Sequence, residues 1–493
     1  MGMGMLQIAR AVTYLFKARC FAFALGILSI AYTQSILAQN TALPTKPKNI
    51  IILFADGVTG TQLEFGRNSS QLLRQQPFAA TDTVMKHGSF ALMSNQPADA
   101  YTTDSAAAAT AMSTGYKANN GAIAITPDGE SPPTIMAIAK AQGKKIGLIT
   151  TATIYDASPA AFSVHAQSRR DSEHIVNQYA ELLPDVLMGG GADFFLPKSE
   201  SGGKRQDGKN ILDRFKAKGY LVVNEVGPLI QAHSEKLLGL FSMEDMDAEI
   251  DRAATVQPSL AQMVSAALKT LSSQGKKSKG FVLFAEDENT DTDGHRNDTA
   301  ALMHDLWAFD DAIKVALEFQ KANPDTLIIV TGDHETGGFS PTNGPKNPGL
   351  ENGNRSNSVA LAQLKKINAF KASTQQFAEV AAVKVREGYS QKKLEEFIVQ
   401  YLQNEFPGIA LDDGLKEQLT SQLSKGVVSN YSPVANILSQ AIARQTGFHW
   451  GTTGHTNEPI VAAAIGPGSQ LFRGYQDNTD FARKLQQLLG WSK

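Results

Sequence analysis

Four stretches of the chain, 50–55, 146–149, 281–285 and 327–330, are continuously apolar and rich in β-branched or aromatic residues, and each then breaks into acids, hydroxyls or histidines. A short apolar run without period-two alternation, bounded by turn residues, fits a strand buried on both faces, as in the middle of a parallel sheet. The alanine-rich run after Thr102-Thr103-Asp104-Ser105 predicts a helix. Leu302, Leu306, Phe309, Ile313 and Ala316 recur at helical spacing and predict another, with His304 as one of its structural residues. From Ser340 to about Gly447 the pattern turns into Lys/Gln/Glu-rich helical sequence, and the apolar run 460–465 then resumes the earlier character. The expected fold is α/β: a large, mostly parallel, doubly wound sheet with helices on both faces. Its core comprises 39–340 and 447–493, and 341–446 form a mostly helical, crown-like insertion.

The chemistry collects where the apolar runs end. In open α/β sheets ligands bind beyond the carboxyl ends of the strands, and Asp56-Gly57 falls at such an end. Asp56 is equally able to cap the following helix. Asp104 and Ser105 can serve as an N-cap, while a serine at a helix N-terminus also sits where free amides and the helix dipole favour an anion; both readings stay open. Asp156-Ala157-Ser158-Pro159 reads as a turn, or as oxygen ligands beside the guanidinium fork of Arg169 if that loop reaches the same edge. The run Glu286-Asp287-Glu288-Asn289-Thr290-Asp291-Thr292-Asp293-Gly294-His295 concentrates five carboxylates that repel one another unless solvent or cations compensate. It is not an EF-hand, because Ala300 occupies the twelfth position where a bidentate Glu is needed. Asp333-His334 repeats the arrangement of acid and histidine after a strand. His455 precedes a strand and is by itself the weakest candidate. The segment 189–279 carries no evident chemistry and reads as scaffold.

Composition narrows the picture. Forty-six basic against 48 acidic residues leave a formal net charge of −2, so no global field attracts nucleic acid or anionic membrane, and no nucleic-acid-binding domain is expected. Arg10, Lys17 and Arg19, the apolar run from Cys20 to Tyr32, and Ser35-Ile36-Leu37-Ala38 follow the order of a secretory signal peptide over 1–38, implying an exported, periplasmic or secreted protein. An uncleaved anchor is the alternative, although the apolar run is short of the roughly 20 residues that a span needs. Cys20 is the only cysteine, so the mature chain would hold no disulfide, no catalytic thiol and no cysteine-ligated metal.

Mixed nitrogen and oxygen donors suit zinc and an all-oxygen subset suits magnesium, so the strand-end residues point to a multinuclear metal site. With a helix-terminal serine and an arginine, the indicated chemistry is phosphoryl transfer. In Asp56-Gly57, Asp104-Ser105-Ala106, Asp156-Ala157-Ser158-Pro159 with Arg169, Glu286, Asp291, His295, Thr331-Gly332-Asp333-His334-Glu335-Thr336-Gly337-Gly338 and Thr453-Gly454-His455, the chain resembles the alkaline phosphatases. That resemblance implies two zinc ions and one magnesium ion. Asp291, His295 and His455 would hold one zinc; Asp56, Asp333, His334 and Ser105 the other; Asp56, Ser158 and Glu286 the magnesium. Ser105 would be the nucleophile, and Arg169, oriented by Asp104, would grip the phosphate of a monoester, which is hydrolysed through a phosphoserine. A homodimer is also implied. Asp287, Glu288 and Asp293 are left as supporting or surface acids.

One position departs from the family. Bacterial relatives usually carry Lys after the acid matching Asp291, paired with an Asp at the position of Asp156, and many animal relatives carry His at both. Here Asp156 is matched with Thr292, so magnesium is expected at the third site and weaker retention of product phosphate. Within the same superfamily, a sulfatase needs Cys/Ser-x-Pro-x-Arg, which Ser105-Ala106-Ala107 lacks. A phosphodiesterase usually has no third metal, whereas Ser158 and Glu286 provide for one; phosphodiester hydrolysis is the alternative activity. A phosphoglycerate mutase is poorly matched to export, and retention of Ser105 and Arg169 speaks against a protein that merely binds metal or phosphate.

Overall fold

The computed structural model of the chain describes residues 46–252, 257–273, 278–344, 358–425 and 431–491, and the leader expected over 1–38 lies outside the described residues. Its strands are β1 (Asn49–Ala55), β2 (Ser89–Ser94), β3 (Lys145–Thr153), β4 (Val186–Gly190), β5 (Leu221–Val223), β6 (Leu237–Leu240), β7 (Phe281–Asp287) and β8 (Thr326–Thr331). The short strands β9 (Glu335–Thr336), β10 (Phe339–Pro341), β11 (Phe448–Trp450) and β12 (His455–Thr456) follow, then β13 (Ile460–Ile465) and β14 (Gly474–Asp477). Ten of these form one sheet in the order β14-β2-β13-β8-β1-β7-β3-β4-β6-β5. All neighbours in it pair parallel except β13, which runs antiparallel to both β8 and β2. The sheet is therefore large and mostly parallel, with helices around it, as the apolar runs predict.

The reason the central strands are continuously apolar is visible in how they pack. Alternate residues of a strand point to opposite faces. Ile51, Leu53 and Ala55 of β1 join one buried cluster while Ile50, Ile52 and Phe54 join another. β7 divides in the same way, with Leu283 and Ala285 on one face and Val282 and Phe284 on the other. Each fully buried Ile or Leu contributes about 1.5–3 kcal/mol relative to exposure, so a polar residue in the middle of these strands would be costly, and the polar residues are confined to their ends.

Five helices, Leu361–Ile367, Thr374–Arg386, Gln391–Glu405, Asp413–Leu423 and Pro433–Thr446, lie between β10 and β11. Ser373, Ser390 and Asp412 cap three of them through side-chain bonds to backbone amides. The chain leaves along β10 and returns along β11, and these two strands pair antiparallel, Phe339 opposite Trp450. β9 and β12 form a second antiparallel pair, Thr336 opposite His455. The excursion thus begins and ends at one place, so the sheet residues before and after it keep their register. The segment read as scaffold supplies the end of β4 and all of β5 and β6, strands that complete one side of the sheet. Among the described residues no helix is long and apolar enough to cross a membrane.

Candidate active site

Every strand-end residue singled out above arrives at one edge of the sheet. Asp56 follows β1, Glu286 is the second-to-last residue of β7, and Asp333 and His334 follow β8. Ser158 lies in the short helix Ala157–Ala161 after β3, and Ser105 opens the helix Ser105–Thr114, which follows the loop from β2. His455 reaches this edge for the opposite reason. Because β13 is reversed, with Ala462 opposite Thr331 of β8, the residues preceding it lie where those following its neighbours lie. Gly57 makes the convergence possible: its φ is +72°, and a Cβ there would stand 2.8 Å from the Asp291 Cα and 2.9 Å from the Thr336 Oγ1.

The acidic stretch after β7 folds as a helix, Asn289–Arg296, ended by Asn297 in the left-handed conformation. Asp291 and His295 are thereby i and i+4 on one face, with the Asp291 Oδ2 3.1 Å from the His295 Nε2. The His295 Nδ1 lies 2.6 Å from the Thr453 carbonyl and the His455 Nδ1 2.8 Å from the Thr103 carbonyl. A carbonyl only accepts, so each Nδ1 carries the proton, and the two Nε2 atoms face each other at 3.1 Å. Two bare lone pairs at that distance repel; the pair needs a cation, either a proton or a metal. Burial lowers the His295 pKa, but Asp291 outweighs it and lifts the imidazole to about 9. Asp291, His295 and His455 together form a group able to hold a metal ion.

A second convergence surrounds His334, whose ring stacks on that of His455 at 3.7 Å between centroids. Its Nδ1 lies 3.2 Å from the Thr336 hydroxyl, whose own proton is given to the Asp291 Oδ1, so Nδ1 donates and Nε2 is bare. That Nε2 lies 3.1 Å from the Ser105 Oγ, 3.3 Å from the Asp333 Oδ2 and 3.4 Å from the Asp56 Oδ1. Those two carboxylate oxygens are buried and lack a hydrogen-bond donor. Acceptors pointed at one another around a hydroxyl are the donor set of a cation site. Asp291 lies between both groups, its Oδ1 3.7 Å from the His455 Nε2 and 3.9 Å from the His334 Nδ1.

A third, all-oxygen group lies behind the second. Ser158 donates to the Asp56 Oδ2 at 3.3 Å, while Thr150 donates to the Glu286 Oε2 at 2.6 Å. The Glu286 Oε1 is buried without a partner. Burial first, and neighbouring carboxylates next, push Asp56 and Glu286 well above the ordinary carboxylate range and Asp333 up to about 7. So many acids in one dry space cannot all ionise without cations, and the donor sets suit them: nitrogen with oxygen in the first two groups, oxygen alone in the third.

Arg169 approaches from the Ser105 side. Its NH1 donates to the Asp104 Oδ2 at 3.4 Å and its NH2 to the Asp156 Oδ1 at 3.2 Å. Burial disfavours its charge, but Asp156 and Asp104 outweigh burial and raise its pKa. Asp104 is also the N-cap of the serine helix, its Oδ1 accepting from the Ala107 amide at 2.9 Å. The two readings of this segment therefore coexist: Asp104 caps, and Ser105 is the first helical residue.

Burial decides between the two readings left open for three acids. Asp287, Glu288 and Asp293 include no surface acid; they are 0%, 8% and 0% exposed. They lie at the strand-to-helix junction between the sheet and the helices packed on it. The Thr292 hydroxyl donates to the Glu288 Oε1 at 2.9 Å, and Asp156 is engaged by Arg169. Several groups that shape the site escape sequence inspection. Thr150 and Thr336 carry only the faint signal of a hydroxyl at the end of an apolar strand or beside Asp-His, and the carbonyls of Thr103 and Thr453 carry none. Glu335 accepts four hydrogen bonds, from Gln62, Phe339, Gly338 and Thr456, and thereby ties β9 to β12 below His455.

The family described as alkaline phosphatase matches residues 47–491. Alkaline phosphatase 4 of Bacillus subtilis is 30% identical over 455 residues, covering 90% of this chain and 89% of its own. The alkaline phosphatase of Escherichia coli is 32% identical over 361 residues, covering 64% of this chain and 75% of its own. Among solved structures, Thermus thermophilus alkaline phosphatase superposes with a TM-score of 0.79 at 28% identity, covering 91% of this chain and 93% of that one. The cold-active alkaline phosphatase of the psychrophile Shewanella sp. gives 0.73 at 30%, covering 90% and 99%. Sequence, fold and edge chemistry agree, and the chain belongs to the alkaline phosphatase family.

Proposed function

We propose that this phosphatase hydrolyses phosphate monoesters through a phosphoserine at Ser105, with two zinc ions and one magnesium ion. The observation that carries this reading is the Ser105 hydroxyl, 3.1 Å from the His334 Nε2 at the N-terminus of its helix, among carboxylate oxygens that lack donors. Asp291, His295 and His455 would hold one zinc, Asp56, Asp333, His334 and Ser105 the other, and Asp56, Ser158 and Glu286 the magnesium. When bound, these ions neutralise phosphate charge and lower the pKa of ligated hydroxyl groups and water.

The chain's own residues account for the remaining steps. The Ser105 Oγ attacks phosphorus, its P–O bond forming as the ester P–O bond breaks, and water then releases inorganic phosphate from the serine. Arg169, with two donors anchored on Asp104 and Asp156, offers its other guanidinium N–H groups to the non-bridging oxygens. The free amides at the start of the serine helix favour the negative charge gathered there. Phosphate release from an aryl phosphate monoester and from its diester, with and without chelator, tests the reading. The monoester is expected to be strongly preferred, and chelation to abolish turnover until zinc and magnesium are returned. Equal or faster diester cleavage would overturn it.

Magnesium at the third site is supported by the oxygen-only set of Asp56, Ser158 and Glu286, and by Asp156 nearby, which can accept from metal-bound waters. Metal analysis showing zinc at all three sites would refute that assignment. Thr292 lies where bacterial relatives usually carry lysine, so product phosphate would be held without that lysine's charge. Thr292→Lys is expected to tighten phosphate inhibition several-fold, a typical effect of one added partly buried charge; an unchanged inhibition constant would refute it. Export, to the periplasm or out of the cell, is supported by the basic, apolar and small-residue order of 1–38. Homodimer formation is supported by family membership. The helices between β10 and β11 support reading 341–446 as an insertion into the catalytic core.

A further inference from the structure

We infer that Tyr431, carried by the helical insertion, contacts the organic part of the substrate and tunes the enzyme toward monoesters with an aromatic leaving group; the inference rests on the phosphatase reading above. Tyr431 meets His295 edge-on, with centroids 4.9 Å apart and planes at 71°, and it is still 53% exposed. Its position is fixed by a clamp between two helices. The helix Pro433–Thr446, which begins just after it, sends Asn436 and Gln440 to the Asn297 Oδ1 at 3.0 and 2.6 Å. Asn297 is the residue that terminates the helix carrying Asp291 and His295. The insertion is thus fastened to the metal-ligand helix at the point that sets where Tyr431 stands over His295.

The direction of the reaction gives this placement a meaning. Moving outward from the Ser105 Oγ, contacts run to His334, then to the His455 ring stacked on it, then to His295, and end at Tyr431. In an in-line displacement the leaving group departs opposite the nucleophile, so it emerges on the side of His295 and Tyr431. Asp291, Asp156, Glu288 and Arg169 lie within electrostatic reach of Tyr431. In such polar surroundings a partly exposed ring offers an apolar face, and a planar leaving group gains an offset-stacked or edge-on contact there that a small aliphatic one cannot make.

Steady-state kinetics of the metal-loaded enzyme and of Tyr431→Ala and Tyr431→Phe, with phenyl phosphate and with glycerol phosphate, test the inference. Tyr431→Ala is expected to lose about tenfold in kcat/KM on phenyl phosphate, chiefly through KM, and less than twofold on glycerol phosphate, with zinc content unchanged. Tyr431→Phe is expected to keep the parent's preference, because the ring and not the hydroxyl makes the contact. Equal losses on both substrates, no loss on either, or a Phe variant as impaired as Ala would overturn the inference. Failure of the parent to hydrolyse either ester would instead refute the phosphatase reading.

Discussion

Ser105→Ala is expected to lower kcat/KM for a phosphate monoester by at least about 10³-fold, about 4 kcal/mol of transition-state stabilisation. The loss is chemical and not structural. Ser105 is the first residue of an otherwise alanine-rich helix, and the cap that secures this helix is the Asp104 carboxylate, 2.9 Å from the Ala107 amide, which the substitution leaves in place. Alanine is the better helix former, so thermal unfolding should shift little. The carboxylates and imidazoles around His334 also remain, and the variant should keep most of its metal and still bind inorganic phosphate. Covalent phosphate on Ser105 should be detectable by mass spectrometry in the rapidly quenched parent and absent from the variant. Parent-like turnover by Ser105→Ala would sink the nucleophile assignment, whatever the metal content.

The parts of this architecture that were legible in the sequence are those in which side-chain chemistry and strand burial coincide. β1, β7 and β8 declare themselves because both of their faces are covered: Ile50 and Ile51 are equally apolar although they point to opposite sides of the sheet. Their polar endings declare the edge. His455 could be tied to that edge only through the family resemblance, since strand direction is a property of the sheet and the reversal of β13 leaves no mark on the residues of β13 itself. The helix Asn289–Arg296 was hidden for another reason. Its carboxylates, threonines and glycine have low helical propensity, and its fold depends on tertiary anchors: Thr290 donates to the Asp56 carbonyl at 2.6 Å, and the Glu288 amide donates to the Thr151 hydroxyl at 2.9 Å. The same anchoring draws Asp287, Glu288 and Asp293 inside, where isolated acids are not expected. The carbonyls of Thr103 and Thr453, which select the tautomers of His455 and His295, are backbone groups and belong to no sequence pattern.

Asp291→Asn is expected to cost at least about 10²-fold in kcat/KM and to release zinc, because this carboxylate serves more than one group. Its Oδ2 lies 3.1 Å from the His295 Nε2, and its Oδ1 accepts from Thr336 and lies 3.7 Å from the His455 Nε2 and 3.9 Å from the His334 Nδ1. Asparagine matches it in shape but is neutral, and one of its two terminal atoms becomes a donor. Whichever way the amide turns, the histidine pair loses its charged partner, and with the amide nitrogen toward Thr336 the threonine O–H also loses the acceptor it has in the Asp291 Oδ1. The packing around Gly57, which abuts Asp291, is preserved, so circular dichroism should be unchanged while zinc retained after dialysis falls. Excess zinc should recover part of the activity, since His295 and His455 still present their Nε2 atoms. Full zinc retention together with parent-like kcat/KM would show that Asp291 is not a ligand. Zinc loss without loss of activity would show that the first group is not catalytic.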